Sequence, residues 1–280
     1  MTIGEVLKEI EGRLAPAVGR GEARAMANVI VETVKGYRPI DVALNRGRVL
    51  LDETVANIRS IVGRVLDGEP LQYVLGVASF AGRDFEVTPA TLIPRPETSE
   101  LVDFITKAYD GRQDLRVLDI GTGSGCIAVT LAAVLPFACV TAVDISADAL
   151  AVARRNAARY RADVRFVEAD ILKDSIGGEF DIIVSNPPYV LESERKDMDM
   201  RVVGHEPATA LFVPDDDALR FYRPIGRLAS RSLAAGGSLW LEINPLCADA
   251  LVKMLSADGF SSVDVIRDFR GVNRFICARP

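Results

Sequence analysis

After residue 114 the chain alternates between short apolar runs and longer amphipathic stretches, and this alternation restricts the fold more than any other feature. The runs "LRVLDIG", "ACVTAVDI", "VRFVEA", "FDIIVSN", "SLWLEI", "SVDVIRD" and "RFICAR" have the length and β-branched content of buried strands. Helical stretches lie between most of them, notably "SADALAVARRNAARY" and "DDDALRFYRPIGRLASRSL". Strands joined through helices pair in parallel and are covered on both faces. The expected fold is therefore α/β, a seven-stranded, mostly parallel, Rossmann-like sheet. The last two runs have no helix between them, which predicts an antiparallel hairpin at one end. No internal repeat or low-complexity segment appears.

The first 75 residues form a different region, a small N-terminal helical bundle. Ile3, Val6, Leu7, Ile10 and Leu14 share one helical face, as do Met26, Val29, Ile30 and Val34. Val55, Ile58, Ile61, Val62, Val65 and Leu66 make a third stripe, and Gly36, Pro39, Gly47 and Gly68-Glu69-Pro70 punctuate between them. Helices this short need packing partners to persist. Residues 76–93 then read as a β-hairpin linker around the turn "AGRD", and residues 94–280 as the α/β domain, opening with a helix from Glu97 to Lys107.

Bulk properties exclude several function classes. A formal net charge of -6 argues against a general phosphate-backbone binder, which needs a basic face. No apolar stretch approaches a membrane span, and the acidic N-terminus "MTIGEVLKEIEGRL" is unlike a signal peptide, so the chain reads as cytoplasmic. Cys126, Cys139, Cys247 and Cys277 lie far apart and read as reduced thiols, with no metal site. The only histidine, His205, reads as a surface or loop residue.

The segment "VLDIGTGSGCIAV" sets Asp119 ahead of Gly121, Thr122, Gly123, Ser124 and Gly125, at a strand-to-helix junction. Glycines there permit a sharp turn and close approach of a ligand at the mouth of an open parallel sheet. The next strand ends in Asp144, an acid placed to accept the hydroxyls of a ribose. A dinucleotide site would prefer the spacing G-x-G-x-x-G. An acid before the glycines would repel a pyrophosphate but attract the ammonium of an amino acid, which favours S-adenosyl-L-methionine over NAD. Asp170, after the third strand, is placed either to meet an adenine amino group or to cap a helix.

Beside that loop, "FDIIVSN" runs into Asn186-Pro187-Pro188-Tyr189. Amide and exocyclic amine nitrogens are flat, carry two N–H donors and are poor nucleophiles. The Asn186 side-chain oxygen and the Pro187 carbonyl are suited to accept both hydrogens. Such a clamp favours a transition state in which positive charge builds on the nitrogen. The prolines hold it rigid, and Tyr189 offers a face or hydroxyl to the substrate group. The four residues do not distinguish an amide from an adenine amine.

The motifs "PLQYVLGVASFAGRDFEVTPATLIPRPETSELV", "LDIGTGSGCIAV", "VSNPPYV", "HEPATALF" and "DFRGVNRFICAR" occur in the order found in the protein-(glutamine) methyltransferases that act on peptide-chain release factors. From about Pro70 onward the chain resembles that family. The resemblance implies an S-adenosylmethionine-dependent methyltransferase domain and methylation of the glutamine amide in a release factor's Gly-Gly-Gln motif. It places the cofactor on Gly121 to Gly125, Asp144, Asp170, Ile171 and Asn186, and the glutamine on Asn186 to Tyr189. It also gives the N-terminal bundle a part in engaging the release factor. The chain departs from the family at Ser99, at "VPDDDAL" (Val213 to Leu219), at Asn244-Pro245 and at Ile171, where an aromatic is common. Three alternatives stand beside this reading: glutamine methylation of another protein such as a ribosomal protein, adenine-amino methylation of nucleic acid, and a non-catalytic homologue.

Overall fold

In the computed structural model, which describes residues 1–280, Thr2 starts the first helix. Its hydroxyl accepts the N–H of Glu5, and the Glu5 carboxylate accepts the N–H of Thr2, so two otherwise orphaned donors are satisfied reciprocally. Helices α1 (Ile3–Val18), α2 (Arg20–Lys35), α3 (Pro39–Leu44), α4 (Asp52–Leu66) and α5 (Leu71–Leu75) follow in turn. The predicted faces of α1 and α4 are buried, except that Leu66 stays exposed. The face of α2 differs from the expected stripe. Ala23, Ala27, Ile30 and Val31 are buried, whereas Val29 is exposed. Met26 and Val34 pack partly buried against the same core, so Val29 alone of the expected stripe faces out.

These helices form one unit, residues 1–76 together with 200–205, and residues 77–199 with 206–280 form a second. The second unit opens with a hairpin, β1 (Val77–Phe80) and β2 (Arg83–Glu86). Its turn residues Ala81 and Gly82 both have positive φ, the geometry of a tight two-residue hairpin. Phe80 and Phe85 sit in the unit's core, so this segment is packed structure and not a free connector.

The remaining elements are α6 (Pro96–Ala108), β3 (Arg116–Ile120), α7 (Cys126–Val134), β4 (Cys139–Asp144), α8 (Ala147–Tyr160), β5 (Val164–Glu168), β6 (Phe180–Ser185) and β7 (Val190–Leu191). After them come α9 (Met200–His205), β8 (Phe212–Val213), α10 (Tyr222–Ser232), β9 (Leu233–Glu242), α11 (Ala248–Ala257), β10 (Ser262–Arg267) and β11 (Asn273–Arg279). Helix α9 groups with the helical unit, where Arg201 pairs with Glu22 at 3.2 Å. Nothing in the local pattern had separated residues 200–205 from the α/β region.

The seven-stranded sheet has the order β10-β11-β9-β6-β3-β4-β5. Strands β9, β6, β3, β4 and β5 are parallel, and β11 runs antiparallel to both β9 and β10. The sheet, its hairpin at one end and the flanking helices are as the alternation predicted. One core face is filled from α6 and α7 by Leu101, Ile105, Val129 and Leu131. The other is filled from α10 and α11 by Tyr222, Ile225, Leu251 and Leu255. Chain order reverses at β3, since β4 lies on one side of it and β6 on the other, and such a switch point opens a crevice at the carboxyl ends of the strands. Ile120 pairs with Ser185, so residues 121 and 186 leave the sheet side by side.

Two boundaries differ from expectation. The helix expected from Asp215 begins only at Tyr222, because Asp215 accepts the backbone and hydroxyl hydrogens of Ser193. Strand β9 begins at Leu233, before "SLWLEI", with a register shift against β6. A Cβ on Gly237 would stand 2.9 Å from the Asp181 carbonyl, which explains glycine in that irregular pairing. No helix is long and apolar enough to cross a membrane.

Candidate active site

The glycine loop leaves β3 by a bend that only some residues tolerate. Gly121, Gly123 and Gly125 have φ of 75°, 54° and 80°, left-handed values that disfavour any residue with a Cβ. The N–H groups of Gly121 and Thr122 donate to the Val143 carbonyl, which ties the loop to the end of β4. At that end, Asp144 accepts the Gly123 N–H through Oδ2 at 2.8 Å and the Ser146 N–H through Oδ1 at 2.9 Å. Burial raises the Asp144 carboxyl above its usual range, and these N–H donors oppose the rise. Asp119 is fully buried beneath the loop, where Oδ2 accepts the Thr122 hydroxyl at 2.7 Å and the Ala128 N–H at 3.2 Å. Its Oδ1 has no partner.

A buried amide braces the loop from behind. Asn156 of α8 donates from Nδ2 to the Ser124 carbonyl at 2.9 Å and to the Glu86 carbonyl at 3.0 Å, and accepts the Glu86 N–H at 2.7 Å. One side chain thereby joins the hairpin to the glycine loop.

The loop opens on a cleft of about 620 Å³, within the range of small-molecule sites. Gly121, Thr122, Gly123, Ser124, Asp144, Asp170, Ile171, Asn186, Pro187 and Pro188 line it. So do Thr98, Arg95 and the apolar side chains of Leu92, Ile145, Phe212 and Phe221. The Arg95 guanidinium is held at 2.6 Å by Glu206, a buried acid from the "HEPATALF" segment that also accepts the Ile93 N–H. Asp170 stands at the cleft wall and also caps a turn, accepting the Leu172 N–H and pairing with Lys173 at 3.0 Å. The cap closes a turn and not a helix, since no helix starts between β5 and β6.

Two expected site residues do not line the cleft. Gly125 is outside the cleft lining, and a Cβ there would sit 3.0 Å from the Ala153 Cβ, so this glycine serves the packing of α7 on α8. Tyr189 also lies outside the lining. It packs against the core beside α10, and its hydroxyl donates to Glu242 Oε1 at 2.9 Å. Burial, then the neighbouring Glu242, pushes its phenol well above the usual value. Of the face and the hydroxyl expected to serve a substrate, the hydroxyl has this carboxylate partner.

Asn186 is placed as expected, at the cleft. The Ser185 hydroxyl donates to the Ile120 carbonyl at 2.7 Å and pins the end of β6 against β3. The Asn186 Nδ2 donates to the Thr98 hydroxyl oxygen at 3.1 Å, and that hydroxyl gives its own hydrogen to Glu242 Oε2 at 2.7 Å. Thr98 therefore presents a lone pair, so the amine end of the Asn186 amide faces it and the oxygen is left for a ligand. Neither Thr98 nor Glu242 carried a local signal of this role.

S-adenosylmethionine fits these residues. Cβ atoms on Gly121 and Gly123 would meet nothing within 4 Å, which leaves room for a ligand against the backbone. The buried Ser124 hydroxyl has no partner, and the Asp144 oxygens keep lone pairs beyond those used by the loop. Ile145 and Ile171 offer apolar surface to an adenine ring.

A Rossmann-like sheet of this order, with an acid ending β4 and Asn-Pro-Pro-Tyr after β6, defines an S-adenosylmethionine-dependent methyltransferase. Residues 98–209 match the Methyltransferase small domain, and residues 5–76 match the PrmC N-terminal domain. The release factor glutamine methyltransferase of Bacteroides thetaiotaomicron is 43% identical over 92% of this chain and 92% of its own. That of Flavobacterium psychrophilum is 40% identical over 94% of each. A methyltransferase structure from Pyrococcus furiosus superposes with a TM-score of 0.54 at 23% identity, covering 77% of this chain and 95% of that one, a likeness of fold. The chain belongs to the release factor glutamine methyltransferase family.

Proposed function

We propose that this protein transfers a methyl group from S-adenosylmethionine to the side-chain amide nitrogen of the glutamine in the Gly-Gly-Gln motif of peptide-chain release factors. The observation that carries the reading is the Asn186 amide, fixed at the cleft with its oxygen free, in a chain of this family. The cofactor, when bound, supplies a methyl group on an electron-poor sulfonium. Gly121 to Ser124 form its backbone cradle, and Asp144 accepts from its ribose hydroxyls. Ile171 and Asp170 stand at its adenine.

Asn186 Oδ1 and the Pro187 carbonyl accept the two N–H groups of the glutamine amide. This orients a weak nucleophile, and it favours the nitrogen as it becomes positive during transfer. Alignment in a largely apolar pocket is the main contribution, worth about 7–11 kcal/mol where well realised. Pro187 and Pro188 keep the turn from relaxing. The helical unit engages the release factor, a role supported by its family match and by apolar side chains left exposed at Ile40, Leu44, Val49 and Leu51. The net charge of -6 favours a protein over a nucleic-acid substrate, and the protein works in the cytoplasm, where release factors act.

The test offers labelled S-adenosylmethionine with purified release factor, ribosomal proteins or DNA. Label is expected on the release factor and not on a variant lacking the Gly-Gly-Gln glutamine. Label confined to DNA or to ribosomal protein would overturn the reading. Asn186→Ala should abolish transfer while cofactor affinity, read by calorimetry, changes little.

A further inference from the structure

Residues from three sequence motifs, none of them given a role in the proposed chemistry, meet at one buried carboxylate. Thr98 comes from "RPET" in the first turn of α6, Tyr189 ends "NPPY", and Glu242 comes from "LEINP" at the end of β9. Glu242 is 1% exposed and does not line the cleft. Its Oε2 accepts the Thr98 hydroxyl and its Oε1 accepts the Tyr189 hydroxyl. Thr98 in turn accepts from Asn186. We propose that Glu242 and Thr98 are positioning residues that anchor both ends of the Asn186–Tyr189 turn on one carboxylate and hold the Asn186 oxygen toward the glutamine amide. The proposal rests on the function given above.

A strand end followed by a four-residue turn has no ladder to fix it, so its geometry must come from side chains or prolines. Pro187 and Pro188 limit φ in the middle of the turn but do not set the rotation of the Asn186 amide. An Asn amide alone has two nearly equivalent settings, with oxygen and nitrogen exchanged. With the Thr98 hydrogen committed to Glu242, only the Asn186 N–H end satisfies Thr98, and the reversed setting would bring two acceptors together. The buried carboxylate supplies that commitment, and the hydrogen-bonded chain strengthens Asn186 Oδ1 as an acceptor. Tyr189 fixes the far end of the turn on the other carboxylate oxygen. Two further contacts hold the frame: the Tyr222 hydroxyl donates to the Glu242 carbonyl at 3.2 Å, and Asn244 donates to the Tyr189 carbonyl at 3.1 Å.

Thr98→Val keeps the shape and removes both hydrogen bonds, whereas Thr98→Ser keeps the hydroxyl. In the full-length protein, with a release factor as substrate, Thr98→Val is expected to lower kcat roughly 10- to 100-fold. Cofactor Kd and KM for the release factor should stay within about threefold, since the loss falls on the transition state. Thr98→Ser should restore most of the turnover, and Glu242→Gln combined with Thr98→Val should be little worse than Thr98→Val alone. A second readout is independent of activity. In protein labelled with nitrogen-15 asparagine, the Asn186 side-chain amide hydrogens should exchange with solvent at least about tenfold faster in Thr98→Val than in the parent or Thr98→Ser. Normal kcat in Thr98→Val, equal damage in Thr98→Ser, or identical exchange in all three would sink the proposal. If the parent leaves the release factor unlabelled, the functional reading falls, and the exchange measurement still decides the network.

Discussion

The Asp144 carboxylate lies 2.8 Å from the backbone nitrogen of Gly123, so the acid at the end of β4 holds in place the loop it works beside. Its second oxygen accepts the Ser146 N–H. Both oxygens thus face backbone donors and keep further lone pairs for a ribose. Replacement by asparagine would set an amide N–H against one of those donors. Asp144→Ala should weaken S-adenosylmethionine binding about 10- to 100-fold, the size of one or two charge-assisted hydrogen bonds. Asp144→Asn should be no better, and titration calorimetry on both variants checks this.

Asp119 gives the protein a pH dependence with a defined sign. Burial pushes its carboxyl up to about 7 from an ordinary value of 3.8, against the opposing hydrogen bonds from Thr122 and Ala128, and Asp144 adds to the rise. Between those two values the folded chain holds a proton that the unfolded chain has released. Stability from this group is therefore greatest at low pH, falls as pH rises through that window and stays low above it. The melting temperature of Asp119→Asn minus that of the parent should increase from pH 5 to pH 8 in ligand-free protein. A difference that is flat across this range in scanning calorimetry would refute the assignment.

The parts of the site that could be read from the sequence are those built from consecutive residues. The glycine loop, Asp144 at a strand tip and Asn186-Pro187 each announce themselves within a few positions, and the sheet order then brings them to one cleft. Thr98, Asn156, Glu206 and Glu242 could not be found that way, because each acts through a partner 32 to 144 positions distant. Tyr189 shows the limit from the other side. A phenol next to a substrate motif suggests contact with substrate, but a buried carboxylate made by residue 242 claims its hydroxyl. The inner face of α2 departs from its aliphatic stripe only at Val29, and it adds two small residues. Hydrophobic size alone does not mark a face where small residues are buried too, and here Ala23 and Ala27 are buried beside Ile30 and Val31.

Asn156 shows how a brace differs from a binding residue. It makes three hydrogen bonds with the backbone of two separate segments and does not line the cleft. Asn156→Ala leaves the Ser124 and Glu86 backbone groups without partners and should cost about 2–3 kcal/mol in urea unfolding. Asn156→Asp should do no better, because a carboxylate cannot donate to the two carbonyls. Cofactor affinity should fall less steeply than in Asp144→Ala.

The glycines separate two reasons for the same residue type. Gly121 and Gly125 have nearly equal φ, 75° and 80°, so alanine at either position carries a similar backbone strain of about 1–2 kcal/mol. Their surroundings differ. A Cβ on Gly121 meets no protein atom and projects into open space at the cleft, whereas a Cβ on Gly125 meets Ala153 at 3.0 Å. Gly125→Ala should therefore lose a further 1–3 kcal/mol, roughly, from overpacking α7 against α8. Gly121→Ala should instead lose cofactor affinity beyond what its modest destabilisation explains, because the added methyl occupies ligand space. Chemical unfolding and calorimetry on both variants should give opposite rankings, Gly125→Ala the less stable fold and Gly121→Ala the weaker binder. Equal rankings by both measurements would mean that the loop does not divide its glycines between packing and ligand.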